Sequence, residues 1–218
     1  MNIFPTKIKI GGFTHNVEYC NSFSLGSCAV GIYNKQNFLI KILLDAGEMK
    51  RSDIRVQETL LHEIFHGIDN IYLDSHVPEG NDFIERLSVG WFSVLSTIDL
   101  DLESSKLPKF LRINNINYKI ICPYHFEDEP STEKMVISAI DYESGIIYFN
   151  DKSEDGFTFS SPIIKSELLC CIQYIILRDY CIPEEIFNSK YKIFINGLYQ
   201  VLFDNNLNKI FLEGSKGK

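Results

Sequence analysis

Apolar and polar residues alternate through Lys7-Ile-Lys-Ile10, Thr14 to Tyr19, Cys28 to Tyr33 and Asn37 to Leu44, a period of two that predicts four short strands. Gly11-Gly12 and Asn34-Lys-Gln break the alternation where turns are needed, so residues 6 to 45 read as a small antiparallel meander. At Ser52 the period changes. Leu60, Leu61, Ile64, Ile68 and Ile71 recur at helical spacing, Ser52 can cap the first turn, and Asp53 lies where the helix dipole favours an acid. This helix should run to about Leu73. Asp74 to Asn81, with Pro78 and Gly80, is a turn, and Phe83, Ile84, Leu87, Trp91, Val94 and Leu95 form the apolar side of a second helix over about 82–98. A connection this short predicts antiparallel neighbours.

The order then begins again. Residues 110 to 122 have the shape of residues 7 to 19, with Asn114-Asn115 where Gly11-Gly12 stood. Met135 to Asp141 and Gly145 to Asn150 predict another hairpin. Ser166-Glu-Leu-Leu-Cys-Cys-Ile-Gln-Tyr-Ile-Ile matches Glu58-Thr-Leu-Leu-His-Glu-Ile-Phe-His-Gly-Ile at an offset of 108, and Asn196-Gly-Leu-Tyr-Gln-Val-Leu202 matches Val89-Gly-Trp-Phe-Ser-Val-Leu95 at 107. The pattern predicts an α+β chain of two tandem halves, 1–103 and 104–218, each a small antiparallel sheet followed by two helices. The shared positions are the apolar ones. His62, Glu63, His66 and Glu85 of the first half face Cys170, Cys171, Tyr174 and Lys192 of the second, which is expected of a degenerate copy that kept its packing and lost its chemistry.

Composition narrows the functional classes. A formal net charge of −8, with no block of Lys or Arg, disfavours nucleic acid and anionic membrane surfaces as partners. No run of about 18 apolar residues occurs, and the opening ten residues lack a secretion-signal pattern, so a cytoplasmic protein is expected. The six cysteines contain no C-x-x-C, and Cys170 and Cys171 are adjacent, which favours reduced thiols in structural roles.

The candidate chemistry lies in the first long helix. In His62-Glu-Ile-Phe-His66 the two histidines stand one turn apart on the same face, where both can reach a single Zn²⁺, and Glu63 lies beside them as a candidate general base. A catalytic zinc needs a third protein ligand. Asp69, Asp74, His76, Glu79, Asp82 and Glu85 are the candidates. Asp69 follows His66 too closely on the same helix and reads as a supporting or solvated acid. No G-x-x-H follows His66, which excludes the metzincin arrangement. Glu85, nineteen residues beyond His66 on the next helix, is the favoured candidate, and Asp82, three residues earlier on the same face, is its rival.

The stretch Thr59-Leu-Leu-His-Glu-Ile-Phe-His-Gly-Ile-Asp69, followed by Glu85-Arg-Leu-Ser88 and Trp91, resembles the small phage- and prophage-encoded zincin-like metallopeptidases related to the ImmA/IrrE group. The resemblance covers about residues 1–100. It implies a gluzincin-like peptidase with zinc held by His62, His66 and Glu85, Glu63 as the general base, and a protein or peptide as substrate. The other reading is a non-catalytic interaction protein that retains a metal as a staple.

Overall fold

In a computed structural model, residues 4–23, 29–46, 49–75, 82–98, 107–123, 137–150, 160–183 and 190–215 are described. The expected strand starts at Cys28 and Met135, the turn after Ser75 with His76 and Glu79, and the boundary at residue 103 fall outside them.

The first half is built from β1 (Lys7–Ile10), β2 (Phe13–Cys20), β3 (Gly31–Asn34), β4 (Leu39–Leu43), the two-residue strands β5 (Asp45–Ala46) and β6 (Met49–Lys50), and helices α1 (Asp53–Tyr72) and α2 (Phe83–Leu95). The second half repeats the plan with β7 (Phe110–Ile113), β8 (Ile116–Ile121), β9 (Ser138–Asp141), β10 (Ile146–Phe149), α3 (Ser161–Asp179) and α4 (Tyr191–Asn205). It then adds α5 (Leu207–Ser215), a helix the apolar pattern did not foretell. Asn206, with a positive φ of 52°, ends α4, and Leu207 and Phe211 carry the new helix into the core. There Phe211 meets Phe92, and the Ile210 carbonyl accepts from Gln57 Nε2 at 2.9 Å.

Both four-stranded sheets are mixed, which corrects the antiparallel meander, and β5 and β6 pair antiparallel as a separate two-stranded sheet. The strand orders are β1-β2-β4-β3 and β7-β8-β10-β9, with β2 and β4, like β8 and β10, running parallel at the centre. Burial decides this order. Ile40 and Ile42 of β4 are fully buried, whereas Ile32 of β3 is exposed, so the more apolar strand of the hairpin takes the inner place and leaves β3 at the edge. The registers agree between halves. Gly31↔Ile42 and Asn34↔Leu39 recur as Ser138↔Phe149 and Asp141↔Ile146, each shifted by 107. The β1–β2 turn, Gly11-Gly12, and its counterpart Asn114-Asn115 all have positive φ, the backbone of a tight two-residue hairpin that glycine and asparagine tolerate best.

Helix α1 begins as expected, with Ser52 Oγ accepting from the Arg55 amide at 3.4 Å. Val56, Leu60, Leu61, Ile64, Phe65 and Ile68 are buried on it, and it packs on β1, β3 and β4 on one side and on α2, α4 and α5 on the others. Gly67 permits the close approach to the sheet, because a Cβ there would stand 2.5 Å from Ile10 Cδ1. No helix among the described residues is long and apolar enough to cross a membrane.

Candidate metal centre

His62 projects from α1 into the space between α2 and the edge strand β3, and His66, one turn on, meets it. Their Nε2 atoms lie 3.1 Å apart with the rings nearly perpendicular at 73°, so two ring nitrogens converge on one point. An ion about 2.0–2.1 Å from each at a near-tetrahedral angle sets the nitrogens roughly 3.3–3.4 Å apart, a spacing this pair reaches with a small adjustment. Burial lowers the His62 pKa and thereby favours the neutral ring that a metal requires.

Ser88 orients His62, a role the sequence reading did not assign. Its hydroxyl donates to the Glu85 carbonyl at 2.8 Å and lies 3.5 Å from His62 Nδ1. With its only proton given to the carbonyl, Ser88 Oγ can only accept from Nδ1–H, which leaves the Nε2 lone pair facing His66. The available signal was a buried hydroxyl amid Ile84, Leu87 and Trp91, one turn beyond Glu85.

Glu63 is 4% exposed, and burial pushes its carboxyl up to about 8 from 4.5, with a hydrogen bond from the Tyr33 amide opposing the shift. That amide belongs to the free edge of the sheet. The Leu43 amide donates to the Val30 carbonyl, so pairs with β4 alternate to leave the Gly31 and Tyr33 backbone groups turned outward. Gly31 makes the space, since a Cβ there would collide with Glu63 Oε1 and with Thr59. Arg51 holds this strand end against the helix. Its guanidinium donates to the carbonyls of Leu43 (2.7 Å), Val30 (3.4 Å) and Arg55 (3.0 Å) and to Thr59 Oγ1 (2.6 Å).

These groups line one cavity of about 440 Å³, bounded by Val30 and Gly31 of the strand end, His62 and Glu63 of α1, and Glu85 and Ser88 of α2. Glu85 is exposed, and its carboxylate has no hydrogen-bond or ion-pair partner among the described residues. Asp82 is engaged elsewhere, paired with Arg86 at 2.7 Å, and does not line the cavity. Asp69 is buried rather than solvated, and Asp74 lies exposed beyond the end of α1. The structure thus brings His62, Glu63 and Glu85 to one cavity and pairs His66 with His62. Among the described residues it does not gather three His, Cys, Asp or Glu side chains into a preformed cation cluster.

The second half keeps a cavity of about 610 Å³ in the corresponding place, lined by Ser166, Glu167, Cys170, Lys192 and Asn196 where the first has Glu58, Thr59, His62, Glu85 and Val89. Cys170 and Cys171 are buried, and burial pushes both thiols up to about 12, which makes them packing groups rather than thiolates.

No protein-family model, curated protein or solved structure matches the chain.

Proposed function

We propose that the chain is a zinc-dependent peptidase of the zincin-like type, with His62, His66 and Glu85 holding the metal and Glu63 as general base. The observation that carries this reading is the approach of the His62 and His66 Nε2 atoms to each other beside a buried glutamate, with His62, Glu63 and Glu85 lining one cavity. A zinc ion held there would supply Lewis acidity. The chain's own residues do the rest. Ser88 fixes the His62 tautomer, Gly31 and Arg51 keep room for the Glu63 carboxylate, and burial raises its affinity for a proton to the range a general base needs. Among the described residues β3 is an edge strand beside the cavity, which suits a protein or peptide as the proposed substrate.

One observation favours the second reading, a non-catalytic interaction protein with a metal staple: the third ligand is exposed and not drawn into a cluster with the histidines. A single experiment separates the two. Elemental analysis should find about one zinc per chain, lost in the His62→Ala/His66→Ala double variant. Hydrolysis of a labelled denatured protein should disappear in Glu63→Gln while its zinc content stays. Full zinc occupancy in the double variant overturns the site. Zinc-dependent binding of that protein without cleavage, unchanged in Glu63→Gln, would establish the staple instead.

A further inference from the structure

The two halves are not laid side by side. Helix α4 of the second half packs on α1 and on the edge strand β1 of the first, while α2 of the first packs on α3 and on the edge strand β7 of the second. The second helix of each half therefore packs on the first helix of its own half and also on the first helix and sheet edge of the other. The contacts correspond residue by residue. A Cβ on Gly90 would stand 2.5 Å from Ile176 and 3.2 Å from Tyr180, and a Cβ on Gly197 would stand 3.2 Å from Ile68 and 2.8 Å from Tyr72. Gly90 and Gly197 are 107 apart, and Ile68 and Tyr72 are 108 from Ile176 and Tyr180. A cation also reaches the end of the first helix of the opposite half at each junction, from positions that do not correspond, since Arg86 aligns with Ile193 and Lys190 with Phe83. Arg86 of α2 donates to the carbonyls of Tyr180 (3.0 Å) and Cys181 (3.3 Å) at the end of α3, and Lys190 at the start of α4 donates to the carbonyl of Leu73 at the end of α1 (3.2 Å). Those orphan carbonyls are the ones a helix end must satisfy.

We infer that the chain is an intrachain form of a symmetric dimer, in which each half presents a surface built to receive a unit of its own fold and neither half is a stable domain without the other. The partner that surface fits is α1 and the β1 edge for α4, and α3 and the β7 edge for α2. The buried groups at the junction belong to both halves. Trp91, the only tryptophan, is fully buried on α2 and donates through Nε1 to Gln173 Oε1 of α3 at 2.6 Å, and Phe65 of α1 meets Phe194 of α4 edge to face. Asn205 of α4 closes the open edge of β1, accepting from the Lys9 amide at 2.8 Å and donating to its carbonyl at 2.9 Å. Removing either half would strip these partners from the other. A pair of separate domains would instead meet through surfaces complete without each other. This inference is independent of the reaction proposed above.

Hydrogen exchange of the intact chain across low urea concentrations tests it. The slowest amides of α1 and of α3 should exchange through one common opening with the same urea dependence. Gly197→Ala, which presses on the Tyr72 ring from the second half, should speed exchange about tenfold or more in α1 and α3 alike. Trp91 fluorescence and far-ultraviolet dichroism should unfold together. Should Gly197→Ala not fold, the wild-type exchange pattern decides alone. Opening of α3 and α4 while α1 and α2 stay protected overturns the inference, as does an effect of Gly197→Ala confined to the second half.

Discussion

Replacing Glu63 by glutamine should make the metal-free protein more stable, by an amount that depends on pH in a defined way. The Glu63 carboxyl is buried, and its folded pKa of about 8 lies above the ordinary 4.5. Below pH 4.5 it is protonated in both states and nothing is lost. As pH rises from 4.5 to 8 the unfolded chain releases this proton while the folded protein keeps it, so each unit costs the folded state about 1.4 kcal/mol. The loss reaches about 1 kcal/mol at pH 5, about 3 kcal/mol at pH 7 and about 5 kcal/mol above pH 8, where it levels off. Glutamine has nearly the same shape and keeps an oxygen to accept from the Tyr33 amide, so the substitution removes the ionisation and little else. The depressed pKa of His62 is present in both proteins and cancels in the difference.

Urea unfolding of chelator-treated wild type and Glu63→Gln at pH 5, 7 and 8.5 measures this directly. The gap should widen in favour of the variant and then saturate. A constant gap over this range would show that Glu63 ionises normally and would remove the physical basis for its use as a base near neutrality. If zinc occupies the neighbouring site, its charge favours the carboxylate, and adding the metal should shrink the gap.

Glu85→Ala should weaken zinc binding by about a hundredfold or more in a chelator competition, because too few ligands remain, whereas Asp82→Ala should change it by less than about threefold. Asp82 loses only an exposed pair with Arg86. The reverse order would assign the ligand to Asp82. Ser88→Ala should lower zinc affinity by about tenfold to a hundredfold without unfolding the chain, since it frees the His62 ring to turn and change tautomer. Unaltered affinity would mean that packing alone orients His62.

Much of this arrangement was legible in the chain because it is written in local periods. Alternation placed the strands of both sheets, the Ser52 cap and the spacing of Leu60, Leu61, Ile64 and Ile68 placed α1, and the positive-φ pairs Gly11-Gly12 and Asn114-Asn115 marked equivalent turns. The neighbours of each strand were not legible. A period of two says which face is buried, not which strand lies alongside, so the inner position of β4 depended on its higher apolar content relative to β3. The reach of α2 and α4 across the two halves was hidden for the same reason, because an amphipathic face carries no address for its partner. In the site, His62, Glu63 and His66 followed from spacing on one helix. Gly31, Arg51 and Ser88 are brought there by pairing and packing between distant segments, although a glycine inside a strand is a sign of close approach.

The second half fills the same place with different side chains. Gly31, Thr59 and Glu63 correspond to Ser138, Glu167 and Cys171. Ser138 Oγ donates to Glu167 Oε1 at 2.7 Å and accepts from Cys171 Sγ at 3.3 Å, so the gap between edge strand and helix is closed by side chains that satisfy one another. In the first half the gap is kept open by a residue without a side chain, and a carboxyl whose ionisation costs several kcal/mol stands in it. The architecture does not require that glutamate, since its counterpart packs a thiol at the same position. A destabilising buried acid at one of two equivalent positions, beside a pair of imidazoles, is what the proposed role of Glu63 as general base predicts, and the fold by itself does not call for it.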